Sequence, residues 1–395
     1  MDSSTLAASG RVQPDYAGGS LVNLMASIVT ACGGTSPYGP ARGLAPASLT
    51  NCTNLVLIVI DGLGDDYLTG HGTGGMLHSH LRGRLTSVFP STTATAITTV
   101  MTGLAPQQHG LTGWHMYFSE LDAVVAVLPQ KTRGDERPLA EFGERTEALF
   151  PYATLFQQLA IPSRVVAPRW IIQTGFNIRH TVGAERRAYD GLADFFPAIA
   201  ASVRETPARE FVYAYYPVFD TLAHDFGVSS PQCSRELAAL DEAFAGFLAS
   251  LAGTDTTVVV TADHGFIDAP AEHRIELESH PRLAEMLAHP LCGERRAAYC
   301  YVRPEQHANF EAYVQNELAD AALLARSADL VAAGLFGPGE PHPRLATRIG
   351  DYTLLMKGNY TISDLVPGEK RHVLVGVHGG MSAAEMYVPL IIARP

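Results

Sequence analysis

The chain has 395 residues, of which 47% are hydrophobic and 17% are charged, and its formal net charge at pH 7 is −12. This length suffices for a deep core in one large domain or two smaller ones. The acidic balance, without any run of lysine or arginine, excludes a nucleic-acid polymer or an anionic membrane as the main partner, since both require a basic face.

The longest unbroken aliphatic run, Leu55–Ile60, is too short for a membrane-spanning helix, which takes about 20 apolar residues. The first residues lack the basic start and the apolar stretch of a secretory signal, so we expect a cytoplasmic protein. The five cysteines are scattered and form no CxxC pair. This pattern indicates reduced thiols, and it favours neither a disulfide framework nor a thiolate zinc site.

In chain order, the first 48 residues contain one apolar stretch, Leu21–Val29, which predicts a short helix packed on the rest of the protein. Aliphatic runs bounded by Gly, Pro or Asp follow, and the helical spacing of apolar residues in Glu236–Ala252 and Ala308–Leu318 predicts helices between them. The runs predicted as strands are Leu55–Ile60, Val124–Leu128, Arg164–Ala167, Phe211–Tyr215, Val258–Thr261, Ala298–Val302 and Val373–Val377. Continuous apolar runs are typical of a sheet covered on both faces, so the predicted class is a layered α/β fold.

Acidic residues and histidines follow four of these strands. They are Asp61, Asp220, His224, Asp263, His264 and His378. Because ligands bind at the carboxyl ends of strands in open α/β sheets, we expect these side chains to meet. Taken alone, Asp61 is typical of a turn and His378 of a loop. The spacing of one helical turn between Asp220 and His224, together with the adjacent pair at 263–264, favours a shared function.

Aspartate and neutral histidine are ligands that zinc and similar divalent metals prefer. Six ligands are too many for one tetrahedral zinc, whereas two ions about 3.5–4 Å apart would use all of them. Three carboxylates contribute −3 and two divalent ions +4, which leaves +1. An acidic protein can therefore still bind a phosphate at this place.

A nucleophile is expected in the hydroxyl-rich segment Phe89–Gly103, which is typical of a loop that enters a helix. A hydroxyl at a helix N-terminus meets free backbone N–H groups and the positive end of the helix dipole. Ser91 or Thr92 could instead simply cap the helix. The residues alone leave the choice open among Ser91, Thr92, Thr93 and Thr95.

Five motifs resemble those of the alkaline phosphatase superfamily, in its nucleotide pyrophosphatase/phosphodiesterase branch. They are IDGLG at Asp61, TGLAPQQHG at Thr102–Gly110, DTLAHDFG at Asp220–Gly227, TADHG at Thr261–Gly265 and HGG at His378–Gly380. The resemblance implies a three-layer α/β/α core with a mostly parallel central sheet. It also implies a catalytic domain over residues 49–395 with a cap insertion at about 296–370, preceded by the N-terminal segment 1–48.

The same resemblance implies two metal sites, with zinc as the expected ion and manganese as an alternative. One site comprises Asp61, Asp263, His264 and the nucleophile oxygen, and the other comprises Asp220, His224 and His378. It also implies that Thr93 is the nucleophile, since this residue lies nine positions before Thr102 of the T-G pair; Thr92 is the second choice. The implied reaction is a double displacement through a phosphothreonine.

One departure from the branch concerns substrate binding. An asparagine that contacts the phosphate in the branch is replaced here by Trp114, so either the indole N–H or His115 is expected to supply that contact. Arg295, Arg296 and Lys357, between His264 and His378, are candidates for binding a second anionic group, although each is also typical of solvated surface charge.

The sequence thus predicts a two-metal hydrolase of small phosphate esters, most simply a phosphodiesterase or nucleotide pyrophosphatase. Alternatives are a phosphomonoesterase, an enzyme similar to phosphonoacetate hydrolase, or a metal-binding scaffold without catalysis. We expect neither nucleic-acid polymers nor membranes as partners.

Overall fold

The computed structural model describes residues 10–205 and 208–395. The strands are β1 Asn54–Ile60, β2 Leu81–Thr86, β3 His115–Phe118, β4 Ala123–Ala126, β5 Lys131–Thr132, β6 Ser163–Pro168, β7 Glu185–Tyr189, β8 Glu210–Tyr216, β9 Thr256–Thr261, β10 Ile267–Asp268, β11 Arg274–Glu276, β12 Cys292–Gly293, β13 Ala297–Cys300, β14 Ala322–Arg326, β15 Tyr352–Met356, β16 Thr361–Ser363, β17 Gly376–Val377 and β18 Tyr387–Ala393.

The α-helices are α1 Leu21–Ala31, α2 Ala47–Thr50, α3 Asp65–His71, α4 Met76–Ser79, α5 Thr93–Thr102, α6 Pro106–His109, α7 Arg169–Ile172, α8 Gly175–His180, α9 Leu192–Glu205, α10 Val218–Phe226, α11 Pro231–Ser250, α12 Pro281–Met286, α13 His307–Glu317, α14 Ser327–Ala332, α15 Leu345–Arg348 and α16 Ala383–Met386. Short 3-10 helices cover Leu139–Leu149, Leu155–Gln157, Ala271–His273, Leu277–Ser279 and Pro304–Gln306. Among the described residues, no helix combines the length and the apolar character that crossing a bilayer requires.

The central sheet has seven strands in the order β2-β18-β9-β1-β8-β6-β7. The five consecutive strands from β9 to β7 are parallel, and β18 is antiparallel to both of its neighbours. Every residue of β1, β8 and β9 is buried, as a sheet covered on both faces requires. The helices form two packed groups, with α1 against α5 and with α9 and α10 against α11. The prediction of a layered, mostly parallel α/β core is therefore confirmed.

The N-terminal segment packs on this core as far as the structure describes it. All residues of α1 except Thr30 are buried, and the amide of Val12 donates a hydrogen bond to the carbonyl of Met381 at 2.8 Å. This contact lies only three residues beyond His378. The first nine residues of the predicted segment lie outside the described part of the chain.

A second sheet has the order β14-β15-β13-β12-β3-β4-β5, and its pairings are antiparallel. Two of the predicted strands, Val124–Leu128 and Ala298–Val302, correspond to β4 and β13 and therefore lie outside the central sheet. A run of four or five apolar residues does not specify its pairing partner. The second sheet joins residues 115–132 to residues 292–356, so it combines most of the predicted cap with an earlier part of the chain.

The prediction of a strand at Val373–Val377 is wrong in extent. Only Gly376–Val377 is extended and paired, and its partner is β10 in a separate two-stranded antiparallel sheet. Val373 is 61% exposed, whereas Val377 is buried, so only the end of the aliphatic run packs inside the protein. His378 nevertheless follows directly after this short strand.

Candidate active site

The segments that follow β1, β8, β9 and β17 bring the six predicted ligands into one cluster. His264 Nε2 lies 3.4 Å from Asp61 Oδ1 and 3.5 Å from Asp263 Oδ2. The same nitrogen lies 4.0 Å from Asp220 Oδ1. These residues follow three neighbouring strands of the parallel sheet, β9, β1 and β8, whose carboxyl ends share one edge.

The other half of the cluster is built on α10. Asp220 and His224 are one helical turn apart, and Asp220 Oδ1 lies 3.5 Å from His224 Nε2. His378 Nε2 lies 3.9 Å from the same carboxylate oxygen and 3.2 Å from His224 Nε2. Two compact groups of possible metal ligands result, one of Asp61, Asp263 and His264 and one of Asp220, His264 and His378.

The three histidines are oriented by the backbone. Each uses Nδ1 to contact a carbonyl oxygen: His224 at Gly376 (2.9 Å), His264 at Gly265 (3.2 Å) and His378 at Ser91 (3.2 Å). A carbonyl only accepts, so Nδ1 carries the proton and Nε2 is left as an acceptor. All three acceptor nitrogens therefore face the interior of the cluster, which is the arrangement found around metal-bound histidines.

Asp61 and Asp263 likewise use one carboxylate oxygen for hydrogen bonds within the protein and leave the other oxygen free. Asp61 accepts a hydrogen bond from the Tyr215 hydroxyl on Oδ2, and Asp263 accepts hydrogen bonds on Oδ1 from the amides of Gly62 (3.1 Å) and His264 (3.0 Å). The remaining oxygens are buried and have no hydrogen-bond partner within the described residues: Asp61 Oδ1, Asp220 Oδ1 and Asp263 Oδ2. Buried polar atoms without partners are costly.

Divalent metal ions fit this donor set. Burial raises the pKa of Asp61, and the charges of Asp220 and Asp263 raise it further. Burial also lowers the pKa of His378, with smaller contributions from His264 and His224. Cations among these groups would compensate the carboxylate charges and would bind to the three unpartnered oxygens and the three acceptor nitrogens.

Local packing explains how the chain positions these groups. Gly62, directly after Asp61, has φ +75, and a Cβ at this position would collide with the ring of Phe266. That ring lies edge-on to the imidazoles of His224, His264 and His378, at centroid distances of 4.9, 5.5 and 5.2 Å. The glycine thus admits the aromatic ring that supports one side of the histidine group.

The candidate nucleophiles have different surroundings. Thr93 is the first residue of α5, and its Oγ1 lies 3.1 Å from His264 Nε2. Thr92 instead donates to Glu294 Oε1 at 2.7 Å, and Ser91 donates to the carbonyl of Gly380 at 2.8 Å. Thr95 is fully buried within α5. Of the four hydroxyls, that of Thr93 contacts a member of the cluster.

Three of the predicted substrate-binding residues lie around the turn between β12 and β13. Trp114 is 39% exposed, and its amide donates to Glu294 Oε1 at 2.7 Å. His115 begins β3 and is partly buried, and burial lowers its pKa to about 3. Arg295 is partly buried, and its guanidinium donates to the carbonyl of His372.

The other two predicted residues have their charges engaged within the protein. Arg296 is 1% exposed, and it donates to both carboxylate oxygens of Glu385 at 3.0 and 2.9 Å. Glu385 in turn accepts from the amide of Gly380 at 2.7 Å. Lys357 donates to the carbonyl of Ala319. Arg296 is expected from the sequence to contact the substrate, but in the structure it forms a buried ion pair behind the turn that follows His378.

Sequence reasoning missed two residues that touch the site. Tyr215, which binds Asp61, is the last residue of a predicted strand, so only its position at the strand end could have indicated a role. Glu294 accepts hydrogen bonds from Thr92 and from the amide of Trp114. Burial raises the pKa of Glu294 to about 7, although both hydrogen bonds lower it. No motif marks this residue, which precedes two arginines.

Comparison with known families identifies the chain. Residues 55–381 match the family described as type I phosphodiesterase / nucleotide pyrophosphatase. The chain belongs to this family. Membership indicates a phosphoester hydrolase, in agreement with the predicted class of reaction. A comparison with curated proteins gave no match.

Solved structures share the fold of this type I phosphodiesterase family member. Murine ectonucleotide pyrophosphatase / phosphodiesterase 5 aligns with a TM-score of 0.62 at 17% identity, over 86% of this chain and 88% of the murine chain. An inactive variant of the murine protein in complex with AMP aligns at 0.60, with 16% identity, over 85% and 87% of the two chains. Phosphonoacetate hydrolase from Sinorhizobium meliloti in complex with phosphonoacetate aligns at 0.62, with 17% identity, over 86% and 89%.

Proposed function

We propose that this protein is a two-metal hydrolase of phosphate esters, acting on phosphodiesters or nucleotide pyrophosphates through a phosphothreonine at Thr93. The observation that carries the proposal is the cluster itself. Three unpartnered carboxylate oxygens and three acceptor nitrogens converge beside the hydroxyl that begins α5. Such a donor set matches two divalent ions, and a two-ion site suits in-line displacement at phosphorus.

Asp61, Asp263 and His264 would hold one ion next to Thr93, and Asp220, His224 and His378 would hold the other. When bound, zinc or manganese ions lower the pKa of a coordinated hydroxyl and neutralise charge on the phosphoryl and leaving-group oxygens. Thr93 Oγ1 attacks phosphorus in line, the ester oxygen leaves on the opposite side, and water then hydrolyses the phosphothreonine. The N-terminus of α5 adds backbone N–H groups that stabilise the phosphoryl oxygens.

The test is a substrate panel assayed with zinc and with manganese. It comprises bis-p-nitrophenyl phosphate, the p-nitrophenyl ester of thymidine monophosphate, p-nitrophenyl phosphate and phosphonoacetate. We expect about two equivalents of metal per chain, and faster turnover of the diesters than of the monoester. Metal-loaded protein that hydrolyses none of these compounds would favour a metal-binding scaffold.

Thr93→Ala and Thr92→Ala form a matched pair for the nucleophile. Thr93→Ala should lower kcat by about a thousandfold or more, because no other hydroxyl takes its place, while the metal content stays the same. Thr92→Ala removes a hydrogen bond to Glu294 and should retain most of the turnover. The reverse pattern would assign the attack to Thr92.

A second candidate function is cleavage of a phosphomonoester or of a carbon–phosphorus bond at the same metal pair. It is favoured by Trp114, which stands where the phosphodiesterase branch carries a phosphate-binding asparagine and whose amide is bonded to Glu294. Turnover of p-nitrophenyl phosphate or phosphonoacetate that equals or exceeds that of the diesters would establish this alternative.

A further inference from the structure

Glu294 lies at the turn after β12, outside the cluster of six candidate ligands. Its Oε1 accepts hydrogen bonds from the Thr92 hydroxyl and the Trp114 amide, both at 2.7 Å. A Cβ on Gly379, which has φ +100, would lie 2.7 Å from the Cβ of Glu294. The Glu294 side chain therefore lies between Thr92, Trp114 and Gly379.

Thr92 directly precedes Thr93, and the charge of Asp220 acts on Glu294. Glu294 therefore lies near the place where the proposed function puts the phosphoryl group. Oε1 is fixed by two donors, whereas Oε2 has no hydrogen-bond partner within residues 10–205 and 208–395. The side chain is only partly buried. One oxygen of this carboxylate is thus fixed and the other is free, close to the place where an anionic group is expected to bind.

No cation neutralises this carboxylate by direct pairing within the described residues. The neighbouring Arg295 donates to the carbonyl of His372. Arg133, the other guanidinium nearby, is paired with Asp364 and Glu369 at 2.7 Å each. The charge of Glu294 therefore adds to the balance of the site. Three aspartates and two divalent ions leave +1. An ionised Glu294 lowers this sum, and Arg295, whose charge acts on Glu294 without a direct ion pair, offsets part of that change.

We propose that Glu294 is the residue that makes the site prefer singly charged phosphodiesters over doubly charged phosphomonoesters. This inference rests on the proposed function. A phosphodiester brings one negative charge to the site and a monoester dianion brings two. The carboxylate repels the additional charge of the monoester, while its two hydrogen bonds keep it from turning away. At an effective dielectric constant of 20–80, one unit charge several Å away changes relative rates by roughly threefold to fiftyfold.

Glu294→Gln tests the proposal with little change in shape, since the amide oxygen can still accept both hydrogen bonds. We measure kcat/KM for bis-p-nitrophenyl phosphate and p-nitrophenyl phosphate in mildly alkaline buffer with metal-loaded protein. The ratio of monoester to diester kcat/KM should rise at least about threefold. Glu305→Gln, which removes an exposed carboxylate after β13, should leave the ratio unchanged.

Glu294→Ala removes the charge without adding an amide donor, so it separates charge from hydrogen bonding to the substrate. A ratio that rises in both variants supports the proposal. A ratio that changes by less than about threefold in both, or that rises only in the glutamine variant, overturns it. Failure of the proposed function itself looks different, because the wild-type protein would then hydrolyse neither ester, or would hydrolyse the monoester at least as fast as the diester.

Discussion

The ion pair between Arg296 and Glu385 gives the sharpest stability prediction. The side chains are 2% and 0% exposed, and two N–H···O contacts of 3.0 and 2.9 Å join them. Arg296→Met would leave a buried carboxylate without its counter-charge. Removing one partner of a buried pair costs about 3–5 kcal/mol of the free energy of unfolding, which is a large part of the total stability of an ordinary protein.

Arg326→Met is the matched control. Arg326 pairs with Glu311 at 2.9 Å, but the two side chains are 66% and 33% exposed, so its loss should cost at most about 1 kcal/mol. Both variants are unfolded in urea in the metal-loaded state and followed by circular dichroism. Equal losses, within about 1 kcal/mol, would refute the view that Arg296 is structural. Loss of substrate affinity with unchanged stability would restore the expectation that Arg296 binds substrate.

Further predictions concern pH, metal content and backbone geometry. Burial lowers the pKa of His180 to about 4, so the unfolded chain binds more protons than the folded one between about pH 6.5 and pH 4, and stability falls as the pH falls through this window. The difference in the free energy of unfolding between wild type and His180→Phe, measured in urea, should therefore shrink by about 3 kcal/mol between pH 7 and pH 4. A difference that stays constant would contradict this. Asp263→Asn should lose at least about one equivalent of metal by elemental analysis, and a full metal complement in this variant would remove Asp263 from the ligand set. Gly62→Ala should lower the thermal unfolding midpoint because φ +75 and the Phe266 ring both exclude a Cβ, whereas Gly70→Ala, where a Cβ meets no atom within 4 Å, should leave it nearly unchanged.

The central sheet and the ligand cluster could be predicted because their signals are local. The uninterrupted run Leu55–Ile60 identifies a buried strand, and Asp61 directly after it must lie at the carboxyl edge of the sheet. The spacing of Asp220 and His224 similarly places both on one face of a helix. In such cases a short stretch of sequence determines both the element and the position of the functional side chain.

The second sheet and the surroundings of the cluster could not be predicted because they depend on distant pairings. Every residue of β13 is buried, as in β1, yet the partners of β13 lie in another sheet, and no property of Ala298–Val302 reveals this. Arg296 resembles a surface cation in the sequence because its partner, Glu385, lies 89 positions away. Glu294 gains its position from Thr92 and Trp114, which lie 202 and 180 positions away. Such contacts follow from the fold as a whole.

The stereochemistry at phosphorus distinguishes a covalent phosphothreonine from direct attack by water. A single diastereomer of a thymidine p-nitrophenyl phosphorothioate is hydrolysed in isotopically labelled water, and the configuration of the product is determined by NMR. Attack by Thr93 followed by hydrolysis of the phosphothreonine comprises two in-line displacements, so we expect net retention of configuration. Net inversion would mean that water attacks the ester directly, and it would contradict the role of Thr93 as nucleophile.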